Sequence, residues 1–314
     1  MKFLYLLEKI RNPVFDAFFS LITHIGEETV FLVIALLFFW CINKREGYYI
    51  LIIGLVGTVI NQAAKLTFKI PRPWVKDPNF TIVESARAEA TGYSFPSGHT
   101  QNVAGTFGAI GCYSKKRWVR ITAVAVIAFV AFSRMYLGVH TPLDVLTSLG
   151  IAAVLVFALH PMFKTEDSFH KFMPYVSVVS TLLSVALLLF VFLMPREGVD
   201  PHNLASGMKN SCTLFGCTLG LIPVYVLDRK FINFETKASW YVQIIKFALG
   251  LAGVLAIKAG LSAPLVSLFG NEYIARAVRY FLIVMFAGVL WPMTFARLSK
   301  IKIRPLDNLF SKNK

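Results

Sequence analysis

The sequence lacks the features of most soluble protein classes. Only 16% of its residues are charged, and 17 acidic residues stand against 32 lysines and arginines, for a net charge of +15. No nucleic-acid-binding motif accompanies this positive charge, so we expect no nucleic-acid partner. Basic residues in membrane connectors set orientation and meet anionic headgroups. There is also no internal repeat and no low-complexity segment.

Cysteines are few and show no pattern. Their spacing fits neither a metal site nor a redox pair, so we expect packed free thiols. The acidic residues of the connectors form no ligand cluster in the sequence, and we expect solvated charges, no metal and no cofactor. A cleavage-like site is missing from the charged first 22 residues, so we expect no secretory signal peptide. The cysteines are Cys41, Cys112, Cys212 and Cys217.

Apolar residues, by contrast, make up 56% of the chain, and the mean hydropathy is +0.63. A helical span needs about 20 mostly apolar residues. The sequence therefore predicts an all-α, polytopic membrane helical bundle of about nine spans. Residues 3–22 are apolar at helical spacing but carry too many charges, which favours an N-terminal interfacial helix. The predicted spans are 26–42, 47–66, 99–114, 118–137, 142–160, 173–194, 206–227, 244–264 and 276–296.

Three short motifs stand out in this apolar background. Each falls at the end or the start of a predicted span, and antiparallel spans bring these ends to one membrane surface. The first motif is Lys65 followed, after six residues, by Arg72-Pro73. The second is Pro96-Ser97-Gly98-His99. The third is Ser133-Arg134, with His140 after five further residues and Asp144 after three more.

Three cations in these motifs suit the binding of a phosphate. The transition state of phosphoryl transfer spreads charge over three oxygens, so catalysis is mainly positioning and charge stabilisation. Lys65 supplies a point charge, and Arg72 and Arg134 supply planar forks. Ser97 adds a hydroxyl, and Gly98 allows the backbone to approach closely at a helix start.

The two histidines and the aspartate suit the chemical step. His140 is the candidate nucleophile, and Asp144 lies four residues on, close to the same helix face. A carboxylate there fixes the imidazole tautomer and stabilises a positively charged phosphohistidine. His99 is the candidate general acid, which later activates water.

The three motifs together resemble the signature of the type 2 phosphatidic acid phosphatase superfamily, which also includes glucose-6-phosphatases and vanadium haloperoxidases. The resemblance covers roughly residues 24–164. It implies a helical bundle, metal-independent phosphatase activity and the same residue roles. The spans after residue 164 match no motif, whereas many bacterial lipid phosphatases of this family resemble six-span proteins. The nine-span layout is similar to that of glucose-6-phosphatases in topology only, and a haloperoxidase is disfavoured because those members resemble soluble proteins.

We therefore divide the chain into a phosphatase core with the interfacial helix, residues 1–164, and a four-span region of unknown role, residues 165–314. The connectors on the side of the tail 297–314 carry the larger share of Lys and Arg, which predicts a cytoplasmic C-terminus and an extracytoplasmic site in the plasma membrane.

The leading hypothesis is hydrolysis of a phosphorylated or pyrophosphorylated membrane lipid, such as phosphatidate, phosphatidylglycerol phosphate or a polyprenyl diphosphate like undecaprenyl diphosphate. A soluble phosphomonoester entering from outside is the alternative within the enzyme class. A transporter that binds phospholipid headgroups without cleaving them is the alternative outside it. The oligomeric state stays open.

Overall fold

The structure is a computed structural model that describes residues 1–301, and within them every regular element is helical. The predicted all-α class is confirmed. The last part of the tail predicted to be cytoplasmic, residues 302–314, lies outside the described residues.

Two helices, α1 and α2, replace the single helix predicted over residues 3–22. Asn12 starts the second of them, because its Oδ1 accepts from the N–H groups of Val14 and Phe15, each at 3.1 Å, and Pro13 follows as the first helical residue. A short 3₁₀ turn then bends the chain by 52° before α3. The helices are α1 (Lys2–Lys9), α2 (Pro13–Thr23) and α3 (Glu28–Leu37).

The next five helices carry all three motifs. Helix α6 is surrounded by α4, α7 and α8, so its polar residues Thr100, Gln101 and Thr106 are buried by protein. The helices are α4 (Lys44–Phe68), α5 (Pro73–Lys76), α6 (Gly98–Tyr113), α7 (Arg117–Tyr136) and α8 (Pro142–Phe163).

The remaining helices pack against the first group. Helix α10 lies against α4, α9 and α14, and one hydrophobic core contains Trp40 and Tyr49 together with Phe169 and Phe295. The helices are α9 (Glu166–Leu193), α10 (Pro201–Leu219), α11 (Leu221–Leu227), α12 (Trp240–Gly260), α13 (Ser262–Phe269), α14 (Glu272–Met285) and α15 (Phe295–Leu298). Five-residue π-helical segments extend three helices, at Phe38–Ile42, Asp228–Ile232 and Phe286–Leu290.

The number of membrane spans agrees approximately with the prediction. Within residues 1–301, seven helices are long and apolar enough to cross a membrane, or eight if the bent pair Pro13–Gly26 and Glu28–Ile42 forms one span. The remaining predicted span, 99–114, corresponds to α6, which has only 16 residues. Because α6 packs among other helices, it has no need of the apolar surface that lipid contact requires.

Candidate active site

The three motifs meet at one end of the bundle around a cavity of about 480 Å³. The end of α4 with the segment up to α5, the start of α6, and the end of α7 with the start of α8 supply them. Six of the eight predicted site residues line this cavity; of the other two, Asp144 contacts His140, and Ser97 directly precedes Gly98. The six are Lys65, Arg72, Gly98, His99, Arg134 and His140.

Backbone carbonyls fix the position of the Arg72 guanidinium. Its Nε donates to Gly92 O at 3.0 Å, its Nη2 to Thr91 O at 2.7 Å and its Nη1 to Val139 O at 3.0 Å. The side chain is buried. Nη1 also lies 2.9 Å from His140 Nε2. The fork is thus held rigidly beside the proposed nucleophile.

This contact assigns the tautomer of His140. A guanidinium only donates, so Nε2 must accept with its lone pair. The proton then lies on Nδ1, which faces Asp144 Oδ2 at 3.4 Å. Burial, and next to it the charge of Arg72, lowers the pKa of His140 well below its ordinary value of 6.5. The imidazole is therefore neutral at physiological pH, with its nucleophilic lone pair on the side of Arg72.

Asp144 is positioned by a capping box at the start of α8. Thr141 N donates to Asp144 Oδ2 at 2.8 Å, and Asp144 N donates to Thr141 Oγ1 at 3.3 Å. Ser94 Oγ donates to the same Oδ2 at 2.6 Å. These bonds hold a buried carboxylate next to the Nδ1 of His140.

The other two cations also lack an acidic partner. Arg134 is 1% exposed, its Nη1 donates to Thr23 Oγ1 at 2.6 Å, and its Nε has no hydrogen-bond partner among the described residues. Lys65 Nζ donates to Tyr93 O at 2.6 Å. Within residues 1–301, none of Lys65, Arg72 and Arg134 has a carboxylate within 4.0 Å. These three cations thus lack close ionic partners, and an anion bound among them can supply the opposite charge.

The second motif forms the N-terminus of α6. Ser97 is its N-cap, and the Ser97 hydroxyl accepts from Thr100 Oγ1 at 3.0 Å and lies outside the cavity lining. Gly98 lines the cavity, with no other atom within 4 Å of the position of a Cβ. His99 Nε2 lies 3.3 Å from Glu89 Oε2. A ligand anion at this helix start would meet free backbone N–H groups.

Sequence reasoning missed an acidic group at the cavity. Glu27 and Glu89 line it, although we expected solvated charges. With His24, they place three potential metal-ligand atoms within 4.8 Å of one another, a grouping close enough to hold one cation. Burial and the neighbouring Glu27 raise the pKa of Glu89. Because Glu89 lies 62 positions beyond Glu27, no local spacing could reveal the grouping.

Ser94, Tyr93 and Thr23 were missed as well. Each bonds directly to a predicted site residue, namely Asp144, Lys65 and Arg134 in that order. The only signal in the sequence was that Ser94 and Tyr93 stand just before the second motif.

Comparisons with known proteins identify the family. A family model described as PAP2 superfamily matches residues 45–168, and one described as PAP2 superfamily phosphatase, transmembrane extension, matches residues 212–303. The second match covers much of the region in which we found no motif. No solved structure matches the chain.

Several curated relatives are phosphatases by name. Undecaprenyl-diphosphatase BcrC of Bacillus subtilis is 30% identical over 169 residues, 52% of this chain and 82% of the relative. Lipid phosphate phosphatase delta of Arabidopsis thaliana is 24% identical over 227 residues, 69% of this chain and 53% of the relative. A probable sphingosine-1-phosphate phosphatase of Dictyostelium discoideum is 25% identical over 198 residues, 56% of this chain and 48% of the relative.

The chain spans about half the length of the last two relatives and most of the first. The PAP2 superfamily model matches the segment that carries the three motifs, and this confirms the resemblance drawn from them. The chain belongs to the PAP2 superfamily of phosphatases.

Proposed function

We propose that this protein is an integral membrane phosphatase that hydrolyses a lipid phosphate or diphosphate through a phosphohistidine at His140, without a metal. One observation carries the proposal: the lone pair of a buried, neutral imidazole lies among three cations that have no carboxylate partner in the described part of the chain. A phosphate dianion supplies the missing charge and places its phosphorus in front of Nε2.

In the first step, His140 Nε2 attacks phosphorus and the bond from phosphorus to the leaving oxygen breaks. Arg72 Nη1 moves from Nε2 to a phosphate oxygen, while Lys65 and Arg134 stabilise the charge on the others. His99, whose Nε2 lies 3.3 Å from Glu89 Oε2, takes up a proton as the phosphate dianion binds and donates it to the leaving alkoxide, or to the leaving phosphate of a diphosphate. Asp144 accepts from Nδ1–H and stabilises the positive phosphoimidazole ring.

In the second step, neutral His99 accepts a proton from water. The water oxygen attacks phosphorus, the phosphorus–nitrogen bond breaks, and inorganic phosphate leaves. His140 and His99 return to their starting protonation states. Each step therefore uses only groups that line the cavity or contact a residue that does.

The membrane setting supports a lipid substrate. The cavity lies at the ends of the spanning helices, where a lipid headgroup arrives, and the matched relatives are named for lipid phosphates and undecaprenyl diphosphate. We place this end of the bundle outside the cytoplasm, by the distribution of Lys and Arg. A membrane-impermeant thiol reagent should label a cysteine introduced at the exposed Glu84 from outside intact cells. Labelling only after permeabilisation would reverse the orientation.

The activity test uses purified protein in detergent with a chelator present. Phosphate should be released from phosphatidate or a polyprenyl diphosphate, and the relative rates on these and a sugar phosphate separate lipid from soluble substrates. His140→Ala should lose at least about 10⁴-fold of the activity. His202→Ala, which changes an exposed histidine outside the cavity lining, is the matched control. Headgroup binding without any phosphate release would instead support the transporter hypothesis.

The role of His99 has its own test. His99→Ala should slow hydrolysis of an alkyl phosphate by about 10²–10⁴-fold, because the alkoxide needs a proton. The same variant should be much less impaired on p-nitrophenyl phosphate, since nitrophenolate leaves without one. Equal losses on both substrates would remove the general-acid assignment.

A further inference from the structure

The cavity continues from the phosphate site into the bundle along a row of uncharged polar side chains. Thr58 and Asn61 belong to this row; they precede Lys65 at helical spacing on α4, and all three line the cavity. With a rise of about 1.5 Å per residue, Thr58 lies about 10 Å along the helix from Lys65, towards the middle of the span. A purely apolar ligand would leave this wall without hydrogen bonds.

Two buried amides in this wall have no partner. Asn61 and Gln101 are each 3% exposed, and Asn61 Nδ2 and both polar atoms of the Gln101 amide lack hydrogen bonds among the described residues. Gly57 leaves room for the Gln101 amide, because a Cβ there would lie 2.8 Å from Gln101 Nε2. Buried amides without partners are costly, so a ligand that bonds them is favoured.

A further part of the wall comes from α10, in the region to which the sequence assigned no role. Asn203, Ser206 and Asn210 lie at helical spacing on this helix and line the same cavity. The close approach depends on Gly207, since a Cβ there would lie 2.7 Å from Leu66 Cδ1 on α4. Helix α10 thus completes the pocket with three more uncharged polar groups.

Charge decides which polar ligand fits. The cations among the described lining residues are the three of the phosphate site, whereas Glu27, Glu28 and Glu89 also line the cavity. A second phosphate in the deeper part would therefore find amides and hydroxyls in place of a second set of cations. Hydroxyl groups, which both donate and accept, match amide side chains.

We propose that the pocket formed by Asn61, Gln101 and α10 binds the leaving alcohol of the substrate, and that this alcohol carries a hydroxyl group close to the phosphorylated carbon. The proposal rests on the phosphatase function and narrows it to hydroxylated phosphomonoesters, either on a lipid or as a free polyol phosphate. Region 165–314 then sets substrate selectivity through Asn203, Ser206 and Asn210.

The test compares substrates that differ in one hydroxyl group. Purified full-length protein is assayed with 1-acyl-glycerol 3-phosphate, its 2-deoxy analogue, farnesyl diphosphate and glycerol 3-phosphate. We expect kcat/KM to be about tenfold higher for the hydroxylated lipid than for the deoxy lipid, the size of a good hydrogen bond. If glycerol 3-phosphate is hydrolysed at a comparable rate, the substrate is a free polyol phosphate. If it is hydrolysed much more slowly, the substrate is the lipid.

Variants show whether the amides cause this preference. Gln101→Met and Asn203→Leu should each lower kcat/KM about tenfold for the hydroxylated lipid and by less than about twofold for the deoxy lipid. Asn79→Leu, at an exposed position outside the cavity, should change neither. Equal losses on both lipids would mean that the amides only support the helices. Such losses, or a wild-type preference for the diphosphate, would overturn the proposal.

A binding measurement separates this proposal from the phosphatase function. In His140→Ala, which cannot turn over, glycerol 3-phosphate should raise the Tm more than n-propyl phosphate at equal concentration. If the two ligands raise the Tm equally in His140→Ala/Gln101→Met, the result supports the proposed hydroxyl-binding pocket even if no substrate is hydrolysed. Equal Tm shifts in His140→Ala itself would contradict the pocket while leaving the catalytic proposal intact.

Discussion

The two ends of α4 place positive charge in opposite settings. At the first end, Lys44 Nζ lies 2.7 Å from Asp228 Oδ2, and Arg45 Nε lies 3.1 Å from Glu166 Oε2. These pairs join the start of α4 to α9 and to the segment after α11. The cations at this end are therefore neutralised within the protein and hold helices together.

At the other end, Lys65, Arg72 and Arg134 bond to carbonyls, a hydroxyl and an imidazole. Taking a charge out of water without an ionic partner costs several kcal/mol. Such an arrangement persists where a ligand supplies the opposite charge. We infer from this difference that the second end binds an anion, and we expect its stability to depend on whether the anion is bound.

The largest difference in activity is expected when one carboxylate at each end of α4 is replaced by its amide. In Asp144→Asn, the amide NH₂ can donate to His140 Nδ1, which would move the ring proton to Nε2 and remove the nucleophilic lone pair. We expect kcat to fall by about 10³-fold or more. Asp228→Asn should leave kcat within about twofold and lower the Tm, because it leaves Lys44 without its partner. A comparable loss of kcat in both variants would contradict the proposed difference between the two ends.

Arginines at the two ends give the next largest effect. Arg72→Gln should lower kcat/KM by about 10²–10³-fold, the usual loss when one donor to the transition state is removed. Arg45→Gln removes an equal charge at the other end and should leave kcat/KM within about twofold, since half-exposed ion pairs contribute little. Phosphate release under chelation measures both. A small effect of Arg72→Gln would show that the Arg72 guanidinium only holds the backbone carbonyls of the loop before α6 in place.

Stability measurements sharpen the contrast. Orthovanadate at a hundredfold excess over its Kd should stabilise the wild type by about 2.7 kcal/mol. Arg134→Gln should lose most of this gain and should itself be more stable than the wild type without anion, because it removes a buried charge that lacks a carboxylate partner. The measurement is thermal unfolding in detergent. If Arg134→Gln is less stable than the wild type and is still stabilised by vanadate, the Arg134 charge does not serve to bind the anion.

The smallest effect concerns pH. Burial and Arg72 keep the pKa of His140 below its ordinary value of 6.5. Below that pH the unfolded chain binds a proton at this position that the folded chain does not, so acidification destabilises the fold. The Tm should fall as pH drops from 7 towards the lowered pKa, and His140→Gln should show a smaller fall. An identical pH dependence in the variant would mean that His140 titrates normally.

Much of the site could be predicted because each motif is local. Lys65, His99, Arg134 and Asp144 stand at helix ends, and helix ends are visible in a sequence as changes from apolar to polar residues. The pairing of His140 with Asp144 follows from their spacing of four at a helix start. One cavity then results from the antiparallel packing of α4, α6, α7 and α8.

The rest depends on tertiary structure. Ser94 and Glu89 lie in an irregular loop, where no periodicity determines which side chains face the site. Asn203 belongs to a helix 59 residues after Asp144, and nothing in its neighbourhood distinguishes it from a polar residue at a membrane surface. Gln101 looked like part of an apolar span, although its helix is enclosed by other helices. These contacts follow from packing, which the sequence pattern does not specify.

The central claim is that His140 becomes phosphorylated, and trapping the intermediate tests it most directly. Protein is mixed briefly with ³²P-labelled substrate and quenched in alkali, in which phosphohistidine survives, and the labelled peptide is then sequenced. We expect acid-labile label on His140, more of it in His99→Ala when a nitrophenyl phosphate is the substrate, and none in His140→Ala. Turnover with no label, or with label on another residue, would contradict it.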